Sequence, residues 1–266
     1  MLPYYEIPSF HFGPLTIHPF GILVAAAVLV GSTLAEKRAE RFGLDPHVMN
    51  QVIGWAVIPG FICAHLYSAI FYFPENIAEN PLYLLKMWDG ISSVGGFMGG
   101  MGGVLFFLRR NKVDFWGYAE SLIFGFATAW IFGRLGCTTA FDHPGSLSHF
   151  FLAMPYPGSD EVSAGIRHNL GLYEAIWAMG MSAFFYTQRN TPHFSGWYII
   201  VFGMLYTPFR FALDFLRAED KRYGGLTPAQ YAIIGLFALT LYIFFKRRKT
   251  APILTPRPVL AKASAK

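Results

Sequence analysis

Apolar residues in this chain run in long stretches. Seven stretches stand out: 19–35, 49–73, 91–108, 115–136, 170–187, 196–216 and 226–245. Most approach the ~20 residues that cross a hydrocarbon core. The pattern predicts an all-α, polytopic integral membrane protein of about seven transmembrane helices. Some stretches are short, and the fourth and sixth hold arginines, so six or eight spans stay open.

Composition agrees. Hydrophobic residues make up 54% of the 266 and charged residues only 14%, against about 25% charged in a soluble domain. The 27 phenylalanines suit lipid-facing and interfacial positions. Cys63 and Cys137 give neither a disulfide framework nor a metal-ligand spacing.

The net charge of +5 raises nucleic acid as a partner until its placement is read. With the N-terminus outside, the inside segments are 36–48, 109–112, 188–195 and 246–266. They hold fourteen of the 21 Lys and Arg residues. The outside segments 1–18, 74–90, 137–169 and 217–225 hold five. This bias satisfies the positive-inside rule with a cytoplasmic C-terminus, so nucleic acid is unnecessary as an explanation. The expected organisation is one transmembrane domain, 1–249, with a disordered basic cytoplasmic tail, 250–266. The outside loop 138–169 is long enough to be functional.

Two residues inside the apolar runs carry the first chemical signal. Arg134 lies in WIFGRLGC and Arg210 in YTPFRFALDF. An arginine at bilayer depth costs at least ~2.5–3.5 kcal/mol on insertion scales, so each is expected to face a protein interior or wet cavity. Tyr206, Arg210 and Asp214 are four residues apart and share one helical stripe. A plain ion pair between Arg210 and Asp214 is the structural alternative. The run SSVGGFMGGMGG holds repeated GxxxG pairs, which close helix packing alone could explain. His65 reads as a hydrogen-bonded core histidine. His143, in FDHPG, and His168, in RHNLGLYE, fall near the outer ends of their spans. Glu120 and Glu174 each lie near or within an apolar run, where pairing with a neighbour suffices.

Together these segments resemble the bacterial prolipoprotein diacylglyceryl transferase family from about His18 to Leu236. DGISSVGGFMGG is similar to that family's His-Gly-Gly segment. GRLGCTTAFDHPG is similar to its Gly-Arg signature, RHNLGLYE to its Arg-His-Pro-Ser-Gln-Leu-Tyr-Glu element, and YTPFRFALDFLRAED to its closing Tyr, Arg and acidic stripe. The resemblance implies transfer of a diacylglyceryl group from phosphatidylglycerol to the lipobox cysteine of a prolipoprotein signal peptide. It implies a multi-pass protein of the bacterial inner membrane and no metal or organic cofactor. By residue, it puts Arg134 and Arg210 on essential arginines and Tyr206 on the family tyrosine. Gly145 falls on the last signature glycine, Gly95 and Gly96 on the glycine pair, and His168 on the later histidine. Asp142 and Asp214 stand where the family has glutamates.

Three departures bear on activity. Val94 replaces the family's proposed catalytic histidine, and Cys137 and Ala140 replace signature asparagines. A valine accepts no proton. Among the remaining candidates, His143 beside Asp142 is the best-suited base, because histidine titrates near neutrality. A non-catalytic lipid- or lipoprotein-binding paralogue is the second reading, and a transporter using the same cavity the third.

Overall fold

The computed structural model describes residues 2–3, 8, 10–12, 15–86, 90–157, 164–218 and 222–256. Its long helices are α1 (Pro19–Arg41), α2 (Pro46–Phe71), α4 (Ser93–Arg110), α5 (Phe115–Ala140), α6 (Leu170–Gln188), α7 (Trp197–Asp214) and α8 (Pro228–Thr250). These match the seven apolar stretches within a few residues. Between α2 and α4 lie a short α3 (Pro74–Glu79) and a 3-10 turn, Pro81–Leu85. Among the described residues, α1, α2, α5 and α8 are long and apolar enough to cross a membrane. Leu29, Ile58, Met98, Met101 and Leu239 remain exposed on helix faces, as a chain solvated by lipid would leave them.

Local chemistry sets the helix starts. Asp45 caps α2, its carboxylate accepting the His47 N–H at 2.8 Å ahead of Pro46. Asn169 caps α6 by accepting from Leu172 N–H at 3.0 Å. Thr227 and Gln230 form a reciprocal capping box at α8.

The chain divides into two compact units. The first comprises Met1–Ala35 and Ile123–Pro256. Its core is Phe124, Ala127, Met181, Phe185 and Tyr198. Here α1 crosses α5 closely: a Cβ on Gly31 would lie 2.9 Å from the Ala129 methyl. Residues 144–157 and 164–169 do more than connect helices. Strands β3 (Pro144–Leu147), β4 (Met154–Pro157) and β5 (Ala164–Asn169) form an antiparallel sheet in the order β3-β5-β4, following the hairpin of β1 (Phe10–Phe12) and β2 (Leu15–Ile17) in chain order. Residues 250–256 of the tail are described. Ile253–Leu254 form β7, pairing with β6 (His193–Phe194), and Ser195 N–H donates to Pro252 O at 2.8 Å. Residues 257–266 lie outside the described residues.

The second unit is built on Glu36–Leu122. In it α4 packs on α2 through glycines. A Cβ on Gly95, Gly99 or Gly103 would run into the carbonyl oxygens of Cys63, Pro59 and Trp55 respectively. The GxxxG register therefore serves backbone-to-backbone packing. Gly96 is different, since a Cβ there would meet Ala64 at an ordinary 3.6 Å. Glu120 pairs with Arg38 at 4.0 Å, and His65 bridges the carbonyls of Tyr83 and Gly90 at 3.2 and 3.3 Å.

Candidate functional site

Gly171 decides the geometry of the first unit's polar centre. A Cβ on it would lie 2.9 Å from Thr138 N and 3.1 Å from the Cys137 Cβ. Only glycine lets the first turn of α6 approach the last turns of α5 this closely. That approach puts Glu174, on α6, against Arg134, on α5: Arg134 Nε and Glu174 Oε2 are 2.9 Å apart. The Trp130 ring covers the guanidinium at 4.3 Å, a stacking that suits a weakly hydrated cation.

Arg210 reaches the same carboxylate from α7. Its Nη1 lies 3.7 Å from Glu174 Oε1, and its Nη2 lies 3.0 Å from Asp214 Oδ1. The Tyr206 hydroxyl donates to Glu174 Oε2 at 3.3 Å. Glu174 and Asp214 are fully buried, Arg134 nearly so, and Arg210 retains 19% side-chain exposure. The stripe of Tyr206, Arg210 and Asp214 thus converges as its spacing predicts, and α7 runs on through Pro208. The Arg210–Asp214 pair expected as the structural alternative is present as well. Two cations and two carboxylates balance in charge, which is how buried charges are tolerated.

Glu174 is the hub, and the sequence reading gave it no site role. Its signal was an acidic residue four positions into an apolar run, but its partners come from two other helices that spacing does not connect.

A second cluster adjoins Arg134. Arg134 Nη1 is 3.9 Å from Cys137 Sγ. Asp142 and His143 follow α5, with His143 Nδ1 3.6 Å from Asp142 Oδ1 and 2.7 Å from the Asp142 carbonyl oxygen. The sequence showed no metal spacing, yet Cys137, Asp142 and His143 each offer a ligand atom within 4.8 Å of the others.

The remaining candidates are placed elsewhere. Gly145 sits where strands cross: a Cβ would lie 2.7 Å from the His168 Cβ and 3.1 Å from Leu216 O. Its carbonyl accepts from buried Arg167 at 3.1 Å. His168 Nδ1 lies 2.7 Å from the Tyr173 hydroxyl, and burial lowers its pKa from the ordinary histidine value. Burial, with Asp142 adding to it, pushes the Tyr156 phenol well above its usual range, so it remains a donor. Gly95, Gly96 and Val94 belong to the second unit.

Known proteins provide the comparison for this arrangement. A phosphatidylglycerol–prolipoprotein diacylglyceryl transferase from a Nostoc species is 29% identical over 262 residues, covering 92% of this chain and 91% of its own. A protein of the same name from Thermus thermophilus is 28% identical, covering 87% and 94%. One from Chromohalobacter salexigens is 26% identical, covering 84% of each. The profile of the prolipoprotein diacylglyceryl transferases matches residues 8–246. With Arg134, Tyr206 and Arg210 gathered on Glu174 and that match running nearly end to end, the chain belongs to the prolipoprotein diacylglyceryl transferase family.

Proposed function

We propose that this protein is a transferase that moves a diacylglyceryl group from phosphatidylglycerol to the lipobox cysteine of a prolipoprotein signal peptide. The observation that carries the reading is the convergence of Arg134 and Arg210 on Glu174 in a chain with this family match. The thiol sulfur attacks the terminal glyceryl carbon. The S–C bond forms, the C–O bond to phosphorus breaks, and glycerol phosphate leaves with the electron pair. Negative charge grows on the departing phosphate, and preoriented guanidinium groups act most strongly there in a low-dielectric site. Glu174 holds the two forks towards one place, and the Tyr206 hydroxyl adds a donor. Gly145 and His168 shape the substrate cleft of the first unit, and the resemblance gives Gly95 and Gly96, in the second unit, a substrate-binding role of their own. His143, with Asp142 beside it, takes the thiol proton, and no cofactor enters this minimal scheme.

The same reading makes the chain a seven-span protein of the bacterial inner membrane, N-terminus outside, with 1–249 acting as one catalytic domain. The family match crosses both compact units without a break, which supports a single domain. The fourteen-to-five charge bias supports the orientation. Reporter fusions at Met1 and Lys266 test it, and a Lys266 reporter active outside would overturn it.

A second reading, a non-catalytic lipoprotein-binding paralogue, draws on Val94 in place of the family histidine. Complementation separates the two. Rescue of a strain depleted of its own diacylglyceryl transferase supports the enzyme, and expression at the membrane without rescue supports the paralogue.

A further inference from the structure

The turn after α5 gathers three metal-ligating side chains. Phe141 adopts φ 52°, the left-handed region that non-glycine residues enter rarely and mostly where surrounding structure enforces it. The chain reverses there, so Asp142 and His143 return to the last turn of α5. Cys137 Sγ, an Asp142 carboxylate oxygen and a His143 ring nitrogen then lie within 4.8 Å of one another.

This turn is held in place. The Tyr156 hydroxyl donates to the His143 carbonyl at 3.2 Å, and the Leu170 N–H lies 3.4 Å from the same oxygen. The Phe141 and Tyr156 rings meet edge to face at 5.1 Å. His143 Nδ1 sits 2.7 Å from the Asp142 carbonyl oxygen. An Nδ1–H donated to a backbone carbonyl fixes the tautomer and orients a metal-binding imidazole.

We propose that Cys137, Asp142 and His143 form a site for a zinc-class divalent cation, whose open position takes the thiol of the incoming substrate. A thiolate, an imidazole and a carboxylate suit zinc, whereas magnesium and calcium favour all-oxygen shells. The thiolate and carboxylate neutralise the ion, and three protein ligands leave a fourth position for substrate. Cys137 lies 3.9 Å from Arg134, so the ligand set stands beside the guanidinium pair assigned to the leaving phosphate.

The site rests on the transfer reading and supplies what Val94 removes. A thiol bound to such an ion is deprotonated outright. Its proton passes to water, and the sulfur electron pair forms the S–C bond as the C–O bond to phosphorus breaks. The phosphate oxygen keeps that bond's electrons, and the ion undergoes no redox change.

The test uses the full chain in detergent, stripped with a chelator and reloaded with Co²⁺ or Zn²⁺. Co²⁺ is expected to give a thiolate-to-cobalt charge-transfer absorption at one ion per chain. That absorption should vanish in Cys137→Ala, weaken in Asp142→Asn and persist in Cys63→Ala. Chelation should cut lipid transfer by about 10²-fold or more, the scale of a lost proton acceptor, with Zn²⁺ restoring it. An absent absorption, or one surviving in Cys137→Ala, overturns the site. Absorption with transfer indifferent to or inhibited by Zn²⁺ overturns the thiol-activating role, leaving His143 as a simple base. A metal-loaded chain with no transfer under any condition would instead defeat the transferase reading.

Discussion

Arg134 and Glu174 meet at 2.9 Å although forty positions separate them, because Gly171 lets α6 touch the end of α5. The contact ties a cation to a carboxylate in a fully buried place, and Glu174 then serves Arg210 and Tyr206 as well.

Removing that carboxylate should be costly twice over. Glu174→Gln leaves Arg134 buried against a neutral amide. Breaking a buried pair from one side destabilises by about 3–5 kcal/mol. A lower thermal midpoint in detergent is expected, together with loss of transfer measured well below that midpoint. A variant with unchanged stability and activity would mean that Glu174 holds neither arginine.

His143 is required on either route, as the base that takes the thiol proton or as a ligand of the proposed ion. His143→Ala should reduce turnover by about 10²–10⁴-fold while changing phosphatidylglycerol binding little. The comparison is single-turnover transfer against lipid binding in the same preparation. An undiminished rate would remove His143 from the chemistry. Val94→His is the complementary variant: it restores the family residue, and a gain of transfer over wild type is the expected result.

Helix positions were legible in the sequence because each span must satisfy its own backbone and present apolar side chains to lipid. The stripe of Tyr206, Arg210 and Asp214 was legible for the same reason, since four-residue spacing is a local property. Glu174 as a hub was not, because its partners lie on α5 and α7 and only the approach at Gly171 unites them. The sheet β3-β5-β4 was hidden by short strands carrying proline and glycine. The Cys137, Asp142 and His143 cluster was hidden by the left-handed turn at Phe141, a conformation phenylalanine rarely signals. The tail strand β7 depends on β6, some sixty residues earlier.

His168 offers a pH test outside the spans. Burial lowers its folded-state pKa, so on acidification the unfolded chain takes up this proton first. Stability should therefore fall as pH drops below the unfolded value of about 6.5, and level off once the folded-state pKa is passed. Above that window His168 contributes no pH dependence. His168→Gln should flatten part of the decline in thermal midpoint between about pH 7 and 5. An identical slope in both proteins would assign the decline to other groups.

The central claim is tested most directly by purified protein in phosphatidylglycerol vesicles with a synthetic lipobox peptide, read by mass spectrometry. Wild type should add one diacylglyceryl group to the cysteine, and a peptide with serine there should stay unmodified. Arg134→Lys and Arg210→Lys should transfer poorly, since a point charge loses the bidentate fork on phosphate. An unmodified cysteine peptide, under conditions where a family relative modifies it fully, would contradict the account.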